Sequence, residues 1–401
     1  MPDSAARSAA TRVLSNVRPW GGAPADILIR DGHIIGIRPY DGLSAIDIDG
    51  AGLLALPGFI NAHAHVDKSW WGQPWVSYGG QATTEGRIAH EREHRERLGI
   101  PGVEVTLAVL RESLRTGTTA IRTHVDVDLG IGVRGIEVVR EGLAQLGGAI
   151  DAQIVAFPQD GVLRRPGVVE LLDLAAREGA DYIGGLDPAG IDRDPVGQLD
   201  ALFGIAENRG VGIDIHLHDA GELGAFQMEL IADRARRTGL AGRVNVAHGF
   251  AIGEVAASRR AEIIAQFAEA GVSMTTVAPV RPAPLPLRAL RDAGVPVGLG
   301  TDGIRDLWTP YGTGDMLDLA RLLAQVSGFR YDEELREAIE IGTSEGRSFV
   351  GRTQHGLAEG ARADIVLVDA ENPQDALMRA PERSLVMAAG RVVVRDGQIL
   401  I

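Results

Sequence analysis

The sequence predicts an α/β fold, a (β/α)8 TIM barrel with a small β-sandwich domain formed from both termini. Three observations support this prediction. Eight short apolar segments alternate with segments of helical periodicity through the middle of the chain, which is the order of a barrel with parallel strands. Almost every apolar segment ends in a polar or ionisable residue, and such residues would meet at one face of the barrel. Both ends of the chain are rich in short β segments.

The terminal segments predict the small domain. The N-terminal segment contains alternating apolar runs, and the Asp31-Gly32 pair between two of them is a hairpin signal. The C-terminal segment has the same character in "ADIVLVDAENP" and "SLVMAAGRVVVRDGQILI". Because a sheet must bury one face against a partner, the two pieces are expected to form one domain. We therefore predict a β-sandwich from residues 1–56 and 357–401, and a barrel from residues 57–356.

The middle of the chain supplies the strands and helices of the barrel. Each predicted strand is a short apolar run, as in strands that are buried on both faces. The eight strands are "GFINAHAH", "TAIRTHVDV", "DAQIVAFPQ", "DYIGGLDP", "GIDIHLHD", "RVNVAHGF", "VSMTTVAP" and "PVGLGTDG". Helices are predicted at 84–98, 102–116, 134–147, 167–178, 195–209, 222–239, 258–270, 284–293, 313–328 and 332–350.

The composition limits the classes of partner. The formal net charge is −14, which argues against nucleic acid and anionic membranes, because no cationic cluster is present to neutralise phosphates. The chain has no apolar run long enough for a membrane span, and its N-terminus lacks the apolar core of a secretory signal. The absence of cysteine leaves histidine and carboxylate as metal ligands. We expect a cytoplasmic protein that acts on a small molecule.

Two histidines one residue apart, His63 and His65, end the first predicted strand. Their side chains point to the same face, because side chains alternate along a strand. Later strand ends add His216, His248 and Asp302. Imidazole and carboxylate groups suit Zn²⁺ or Fe²⁺, with an open position for a water whose pKa falls towards about 7. The sequence therefore predicts a site for a divalent metal ion, with His63, His65, His216 and Asp302 as its ligands.

Several motifs resemble those of the amidohydrolase superfamily. "PGFINAHAHVDKS" is similar to its first-strand metal signature, and "GIDIHLHD", "VNVAHG" and "GLGTDGIRD" are similar to its fifth, sixth and eighth strands. "IRTHVDVD", "DAQIVAFPQDG" and "ADYIGGLDPA" resemble its cytosine deaminase-like group, and "TDGIRDLWTPYGTGDM" resembles the s-triazine aminohydrolases within it. The resemblance implies a hydrolase that uses a metal-activated water to remove an amino or alkylamino group from an s-triazine or pyrimidine ring.

The resemblance also implies roles for individual residues. The four predicted ligands would bind one metal ion, and Asp302 would in addition act as a general base. His248 would orient the attacking water. Gln159 would hydrogen-bond the carbonyl and imide edge of the substrate.

The chain departs from the cytosine deaminase pattern at two positions. Those enzymes carry a proton-shuttling Glu three residues after the fifth-strand histidine, where this chain has Asp219 preceded by His218. They also carry a second Asp directly after the eighth-strand Asp, where this chain has Gly303. Both departures favour a triazine-type arrangement, with His218 and Asp219 as candidates for proton transfer.

Lys68 is the only lysine of the chain, against 39 arginines. Binuclear members of the superfamily bridge two metals through a carboxylated lysine at the end of strand three or four, so the resemblance implies one metal here. A lysine is ordinarily a solvated surface residue. Its compact ammonium nevertheless fits where arginine does not. We predict that Lys68 contacts the substrate, with a surface position as the alternative.

Weaker candidates lie around the predicted site. Asp187 is either a substrate contact or a helix N-cap, and Trp308 either lines a pocket for a flat ring or packs in the core. The charged stretch "HEREHRER" (90–97) is predicted to be a solvated helix face. Asp126 is expected to hold a strand-end loop, and His124 to lie behind the metal ligands.

Two other functions remain open from the sequence. A ring-opening hydrolase of cyclic amides or imides would belong to the same superfamily, but its usual binuclear form needs the missing lysine. A barrel that only binds a ligand is disfavoured by the complete metal set. A homo-oligomer is expected from the resemblance. The sequence does not specify the heterocycle, the choice between ammonia and an alkylamine, or the choice between Zn²⁺ and Fe²⁺.

Overall fold

The structure is a computed structural model that describes residues 10–43 and 46–401. The predicted N-terminal segment 1–56 therefore includes two stretches, 1–9 and 44–45, that lie outside the described residues. The limits of the two domains stay predictions.

The chain begins with five short strands and continues into the barrel. The five are β1 (Arg12–Pro19), β2 (Ala25–Arg30), β3 (His33–Pro39), β4 (Ile48–Asp49) and β5 (Leu54–Pro57). The barrel strands are β6 (Phe59–Ala64), β7 (Thr118–Asp126), β8 (Asp151–Phe157), β9 (Tyr182–Leu186), β10 (Gly212–Leu217), β11 (Val244–His248), β12 (Val272–Thr276) and β13 (Val297–Leu299). All eight are parallel and neighbour one another in chain order. Each coincides with a predicted strand, so the predicted (β/α)8 barrel is confirmed.

The last strand meets the first where the barrel closes. Ala64 and Asp302 form a parallel bridge, and the backbone N–H of Asp302 donates to the carbonyl oxygen of His63 at 3.0 Å. Gly300 permits this approach, because a Cβ placed there would lie 2.4 Å from that same oxygen. Closure therefore brings Asp302 against the histidine-bearing end of β6.

Both termini build one further sheet. The C-terminal strands are β14 (Ile365–Val368), β15 (Arg383–Ala388), β16 (Arg391–Arg395) and β17 (Gln398–Ile399). The antiparallel pairing of β5 with β14 joins the two ends of the chain in a sheet of order β17-β16-β15-β14-β5-β1-β2-β3, with β4 beside β1. This arrangement confirms that the small β domain is formed from both termini. Its apolar cluster includes Leu14, Ile27, Ile34, Ile365, Leu367 and Met387.

Most helices lie between successive barrel strands, and the last three follow the final barrel strand. They are α1 (Thr84–His94), α2 (Val103–Arg115), α3 (Arg134–Gln145), α4 (Val168–Arg177), α5 (Pro195–Arg209), α6 (Gly221–Thr238), α7 (Ala251–Glu254), α8 (Ala257–Ala270), α9 (Leu287–Asp292), α10 (Met316–Val326), α11 (Asp332–Ile341) and α12 (Pro373–Arg379). Short 3₁₀ segments cover Glu96–Leu98 and Glu345–Val350. The helix predicted at 332–350 is thus divided, and α7 and α12 were not predicted. Among the described residues, no helix is both long enough and apolar enough to cross a membrane.

His355 is buried where the barrel meets the terminal sheet. Its Nε2 donates to the carbonyl oxygen of Gly58 at 2.7 Å, and its Nδ1 accepts from Arg352 at 2.8 Å. Burial, together with the nearby charge of Arg352, lowers the pKa of His355 to about 4. The imidazole is therefore neutral in the folded protein at neutral pH. Acid favours the unfolded chain, because the imidazole binds a proton more readily there.

Stability should fall as the pH drops from about 6.5 to about 4, the window between the unfolded and folded pKa values of His355. In this window the unfolded chain binds the proton and the folded chain does not. The contribution is at most roughly 3 kcal/mol. Urea unfolding at several pH values, compared with the variant His355→Gln, measures it. A difference between the two proteins that does not change with pH would contradict the assignment.

Candidate active site

The four predicted metal ligands meet at the C-terminal face of the barrel. His65 Nε2 lies 3.2 Å from His216 Nε2 and 3.3 Å from Asp302 Oδ1. His63 Nε2 lies 3.5 Å from the same carboxylate oxygen. Ligand bonds of ~2.0–2.1 Å in a tetrahedral site imply ligand atoms about 3.3–3.4 Å apart. The donor atoms are therefore spaced as one small divalent ion requires.

The chemical state of these side chains also suits a metal. Both ring nitrogens of His63 and the Nδ1 atoms of His65 and His216 are buried without a hydrogen bond from any described residue, which is unusual for buried polar atoms. Burial lowers the pKa values of His65 and His216, so both rings stay neutral. Burial alone would raise the pKa of Asp302, but His63 and His65 outweigh it and hold that pKa well below its ordinary value. Neutral imidazoles and an ionised carboxylate are the forms that bind metals.

Two further histidines have donor atoms close to the same point. His124 can complete a group with His63, His65 and His216, and His248 can complete one with His63, His216 and Asp302. His124 lies beneath the ligands, with Nε2 3.3 Å from Asp214 Oδ1, and it does not line the cavity. A catalytic ion needs a position open to the substrate, which favours a ligand set that includes Asp302 over the set with His124.

A side-chain bridge holds β6 to the residues after β13. The Asn61 amide donates to Thr301 Oγ1 at 2.8 Å, and its Oδ1 accepts from the backbone N–H of Thr301 at 3.1 Å. Asp302 itself has a positive φ of 59°, a conformation that is uncommon outside glycine. Closure and this local conformation together direct the carboxylate of Asp302 towards His63 and His65.

His218 borders the cavity and is oriented by Asp187. His218 Nδ1 lies 3.0 Å from Asp187 Oδ2, and its backbone N–H donates to Asp187 Oδ1. Burial alone would lower the pKa of His218, but the Asp187 carboxylate opposes this and the net pKa is raised. The His248 ring lies 4.3 Å from the His218 ring. Asp187 is neither in the cavity wall nor a helix N-cap, since Asp194 caps α5.

Asp219 points away from the cavity. Its Oδ2 accepts from the backbone N–H of Gly190 and from Gln227 Nε2, both at 2.9 Å. The next residue begins the turn into α6, so Asp219 closes the loop after β9 instead of facing the ligands. The structure brings together His218 and the metal ligands, but it does not bring Asp219 to them.

Lys68 is buried in the cavity wall, 3% exposed. Its Nζ donates to Asp126 Oδ1 at 2.9 Å and to Gln159 Oε1 at 2.7 Å, and it lies 3.8 Å from Glu91 Oε1. A surface position is thereby excluded. Asp126 does more than hold a loop, since it is the principal counter-charge of this lysine.

The surroundings of Lys68 are rich in carboxyl groups. Burial alone would lower the pKa of Lys68, but Asp126 and Glu91 outweigh it and the pKa is raised. Burial raises the pKa of Asp67 to about 7 and that of Asp306 to about 6. The lysine is therefore held as a cation by the acids around it, although burial also raises the pKa of its main partner, Asp126.

The prediction that residues 90–97 form a solvated helix face is wrong at two positions. Glu91 is 2% exposed and Arg95 is 8% exposed. Glu91 Oε2 accepts from the indole N–H of Trp308, and its other oxygen faces Lys68. Arg95 pairs with Asp128 after β7. Helix α1 therefore packs over the cavity through its charged side chains, and the charge density of the sequence concealed this.

The cavity has a volume of about 170 Å³, below the ~300–1,000 Å³ of pockets for drug-sized ligands. Of the predicted site residues, His63, Asp187 and Asp219 do not line it. Sequence reasoning missed Phe157, which stacks on His216 at 4.1 Å, and Asp306. The lining residues are His65, Lys68, Phe157, Gln159, Leu186, His216, His218, His248, Asp302, Gly303, Asp306, Trp308 and Thr309.

The chain is similar to known proteins along almost its whole length. Residues 133–401 match the amidohydrolase family. N-isopropylammelide isopropyl amidohydrolase of Pseudomonas sp. (strain ADP) is 31% identical over 396 residues, which cover 94% of each chain. A crystal structure of N-isopropylammelide isopropylaminohydrolase from Burkholderia multivorans ATCC 17616 has a TM-score of 0.92 and 42% identity, covering 98% of this chain and 100% of that one.

A more distant structure shares the fold. 5-Methylcytosine deaminase from Klebsiella pneumoniae, liganded with 5-fluorocytosine, has a TM-score of 0.84 at 23% identity, covering 97% of this chain and 98% of that one. At this identity the likeness shows the fold alone. Together the matches confirm the resemblance inferred from the sequence motifs.

Proposed function

This chain belongs to the amidohydrolase family, and from that premise we propose that it hydrolyses an exocyclic C–N bond of a small N-heterocycle. The substrate class is an s-triazine or pyrimidine that carries an amino or alkylamino group. One observation carries the proposal: His218, oriented by Asp187, borders the same small cavity as His65, His216 and Asp302. A proton donor and a nucleophile-generating site thus face one substrate.

The metal in this proposal is one divalent ion, Zn²⁺ or Fe²⁺, held by His63, His65, His216 and Asp302. The spacing of the donor atoms fits such an ion, and His63 Nε2 has no hydrogen-bond partner among the described residues. When bound, it would lower the pKa of a coordinated water and so supply a nucleophile near neutral pH.

The side chains around the ligands perform the proton transfers. Asp302 takes the proton released as the water oxygen bonds to the ring carbon. His248, whose two ring nitrogens have no partner among the described residues, hydrogen-bonds that oxygen. His218 delivers a proton to the exocyclic nitrogen, the C–N bond breaks, and the amine or ammonia leaves. Asp219 has no part in this proposal.

Gln159 binds the opposite side of the ring, and Lys68 orients it. Lysine can only donate, so the contact with Lys68 fixes Gln159 Oε1 towards Nζ. The Nε2–H₂ group of Gln159 is therefore left to donate to a ring carbonyl or ring nitrogen. Lys68 acts on the substrate chiefly by orienting this amide. Trp308 and Phe157 offer flat surfaces to a planar ring.

The remaining expectations carry over as proposals. We propose that the protein forms a homo-oligomer. Its binding partner is the heterocyclic substrate, and it binds neither nucleic acid nor membranes. None of the comparisons supports ring opening of a cyclic amide. Both candidate metal groups among the described residues share His63 and His216, which supports a single ion.

Purified protein should release amine or ammonia from a panel of amino-triazines that includes N-isopropylammelide, tested beside amino-pyrimidines and pterins. It should carry about one equivalent of Zn or Fe by elemental analysis. Chelation should abolish turnover and re-addition should restore it, because the nucleophile depends on the metal. The matched control is the variant Asp302→Asn, which removes one of the predicted metal ligands. Full activity with less than about half an equivalent of metal, or no release from any compound, would overturn the proposal.

A further inference from the structure

We propose that Glu91 on helix α1 is a positioning residue for the reaction. It holds the indole of Trp308 and the ammonium of Lys68 in the part of the cavity wall that faces the ring. This inference rests on the proposed function and deepens it. It also gives helix α1, which carries none of the predicted site residues, a role in substrate binding.

Helix α1 packs on the wall of the reaction cavity. Ile88 on this helix is buried in one apolar cluster with Phe157 and Leu186, and Trp308 packs against that cluster. All three of these partners line the cavity. The cluster is separate from the main apolar core of the barrel. The position of the helix and the shape of the cavity wall therefore depend on each other.

Two arginines tie the same helix end to the strand-end loops. Arg92 donates to Asp160 Oδ2 at 2.9 Å, and Arg95 pairs with Asp128 in the next turn. Asp160 follows β8 and Asp128 follows β7. The ends of these two strands also supply both hydrogen-bond acceptors of Lys68. Glu91 is thus held against the lysine from both sides of the cavity wall.

Glu91 contacts two residues that come from opposite ends of the barrel sequence. Its Oε2 accepts from the indole N–H of Trp308, and its Oε1 lies 3.8 Å from Lys68 Nζ. The two partners adjoin each other, since Nζ lies 5.9 Å from the centroid of the Trp308 ring. The backbone N–H of Trp308 donates to Asp306 Oδ1 at 2.8 Å. Trp308 is therefore fixed at its backbone by Asp306 and at its ring by Glu91.

The burial of this carboxylate has no evident use for folding alone. Lys68 already has Asp126 as a counter-charge at 2.9 Å, so Glu91 is not needed to neutralise it. Replacing a buried charge by a well-packed apolar side chain is often neutral or stabilising. Glu91 does not line the cavity, so it acts on the substrate only through its two partners.

The expected signature is weaker substrate binding with little change in the chemical step. Trp308 and Gln159 contact the ring before and during the reaction, so misplacing them weakens both states alike. Glu91→Leu should raise KM by about tenfold or more and leave kcat within about threefold. Glu91→Gln keeps an acceptor for the indole and should raise KM by less than about threefold. The matched control is Glu93→Gln, at an exposed position of the same helix.

A double-mutant cycle tests whether Glu91 acts through the indole. Trp308→Phe keeps a flat ring and removes the N–H group. Glu91→Leu should then raise KM at least about threefold less in the Trp308→Phe background than in the wild type. Equal effects in the two backgrounds would overturn the inference, and so would a wild-type KM in Glu91→Leu.

Fluorine NMR of protein labelled with fluorotryptophan gives a readout that needs no turnover. The spectrum of Trp308→Phe identifies the Trp308 resonance, which Glu91→Leu should shift or broaden more than Glu91→Gln does. Glu91→Asp, which withdraws the carboxylate by one CH₂, replaces Glu91→Leu if that variant does not fold. A Trp308 resonance that stays unchanged would overturn the inference whatever the kinetics. A resonance that responds, without hydrolysis of any ring compound, would instead defeat the proposed function.

Discussion

Replacing His218 by asparagine is expected to lower kcat by on the order of 10²- to 10⁴-fold, with metal content unchanged. The Asn amide can take over the hydrogen bond that His218 Nδ1 makes with Asp187, so the loop should keep its conformation. The variant lacks Nε2, the nitrogen at the far end of the ring from Asp187. Steady-state kinetics on the substrate found in the panel, with elemental analysis of the same preparation, measures both quantities.

Asp219→Asn is the matched control for this experiment. Its carboxylate serves Gly190 and Gln227, and an amide can keep one of these contacts, so activity should stay within about fivefold. If His218→Asn is active and Asp219→Asn is inactive, Asp219 and not His218 is the proton donor.

Lys68→Met should cost both stability and activity. Removing the ammonium leaves Asp126 and Glu91 buried without their cation, and breaking a buried pair in this way typically costs about 3–5 kcal/mol. The Gln159 amide loses the contact that orients it, so kcat/KM should also fall by about 10²-fold or more. Lys68→Arg should fail almost as badly, because a planar guanidinium needs more space than this site offers. Urea unfolding and kinetics measure the two losses separately.

The double variant Lys68→Met, Asp126→Asn separates the two effects. Neutralising Asp126 removes the unpaired charge, so unfolding free energy should recover in part while activity stays low. If Lys68→Arg is fully active, or if Lys68→Met is as stable as the wild type, the account of the lysine as a buried positioning residue is wrong.

The barrel and the grouping of its strand-end histidines with Asp302 could be predicted from sequence for a simple physical reason. Strand alternation sends His63 and His65 to one side, and parallel strands end at one face, so local pattern alone brings His216 and Asp302 towards them. No long-range packing has to be known for that argument. His218 was identified through the family resemblance.

Glu91 and Asp306 were missed because neither lies at a strand end. Glu91 sits in a run of alternating charges that usually marks solvated helix, and its burial depends on Lys68 and Trp308, which are distant in sequence. Asp306 reaches the cavity only because the chain turns back at Thr309 and because position 303 is a glycine. The prediction placed Asp219 at the site, but the side chain of the preceding residue, His218, faces the cavity and Asp219 points away from it. The one usable signal was chemical: a buried lysine requires buried acids.

Closure of the barrel at Gly300 and Asp302 has a consequence for the newly made polypeptide. Half of the metal's predicted ligands, His63 and His65, emerge from the ribosome early, while Asp302 comes last and is placed only when β13 meets β6. A nascent chain lacking that last segment holds an incomplete ligand set. Metal loading should therefore follow translation of most of the chain, and a bound ion would then tie the earliest and latest barrel strands together.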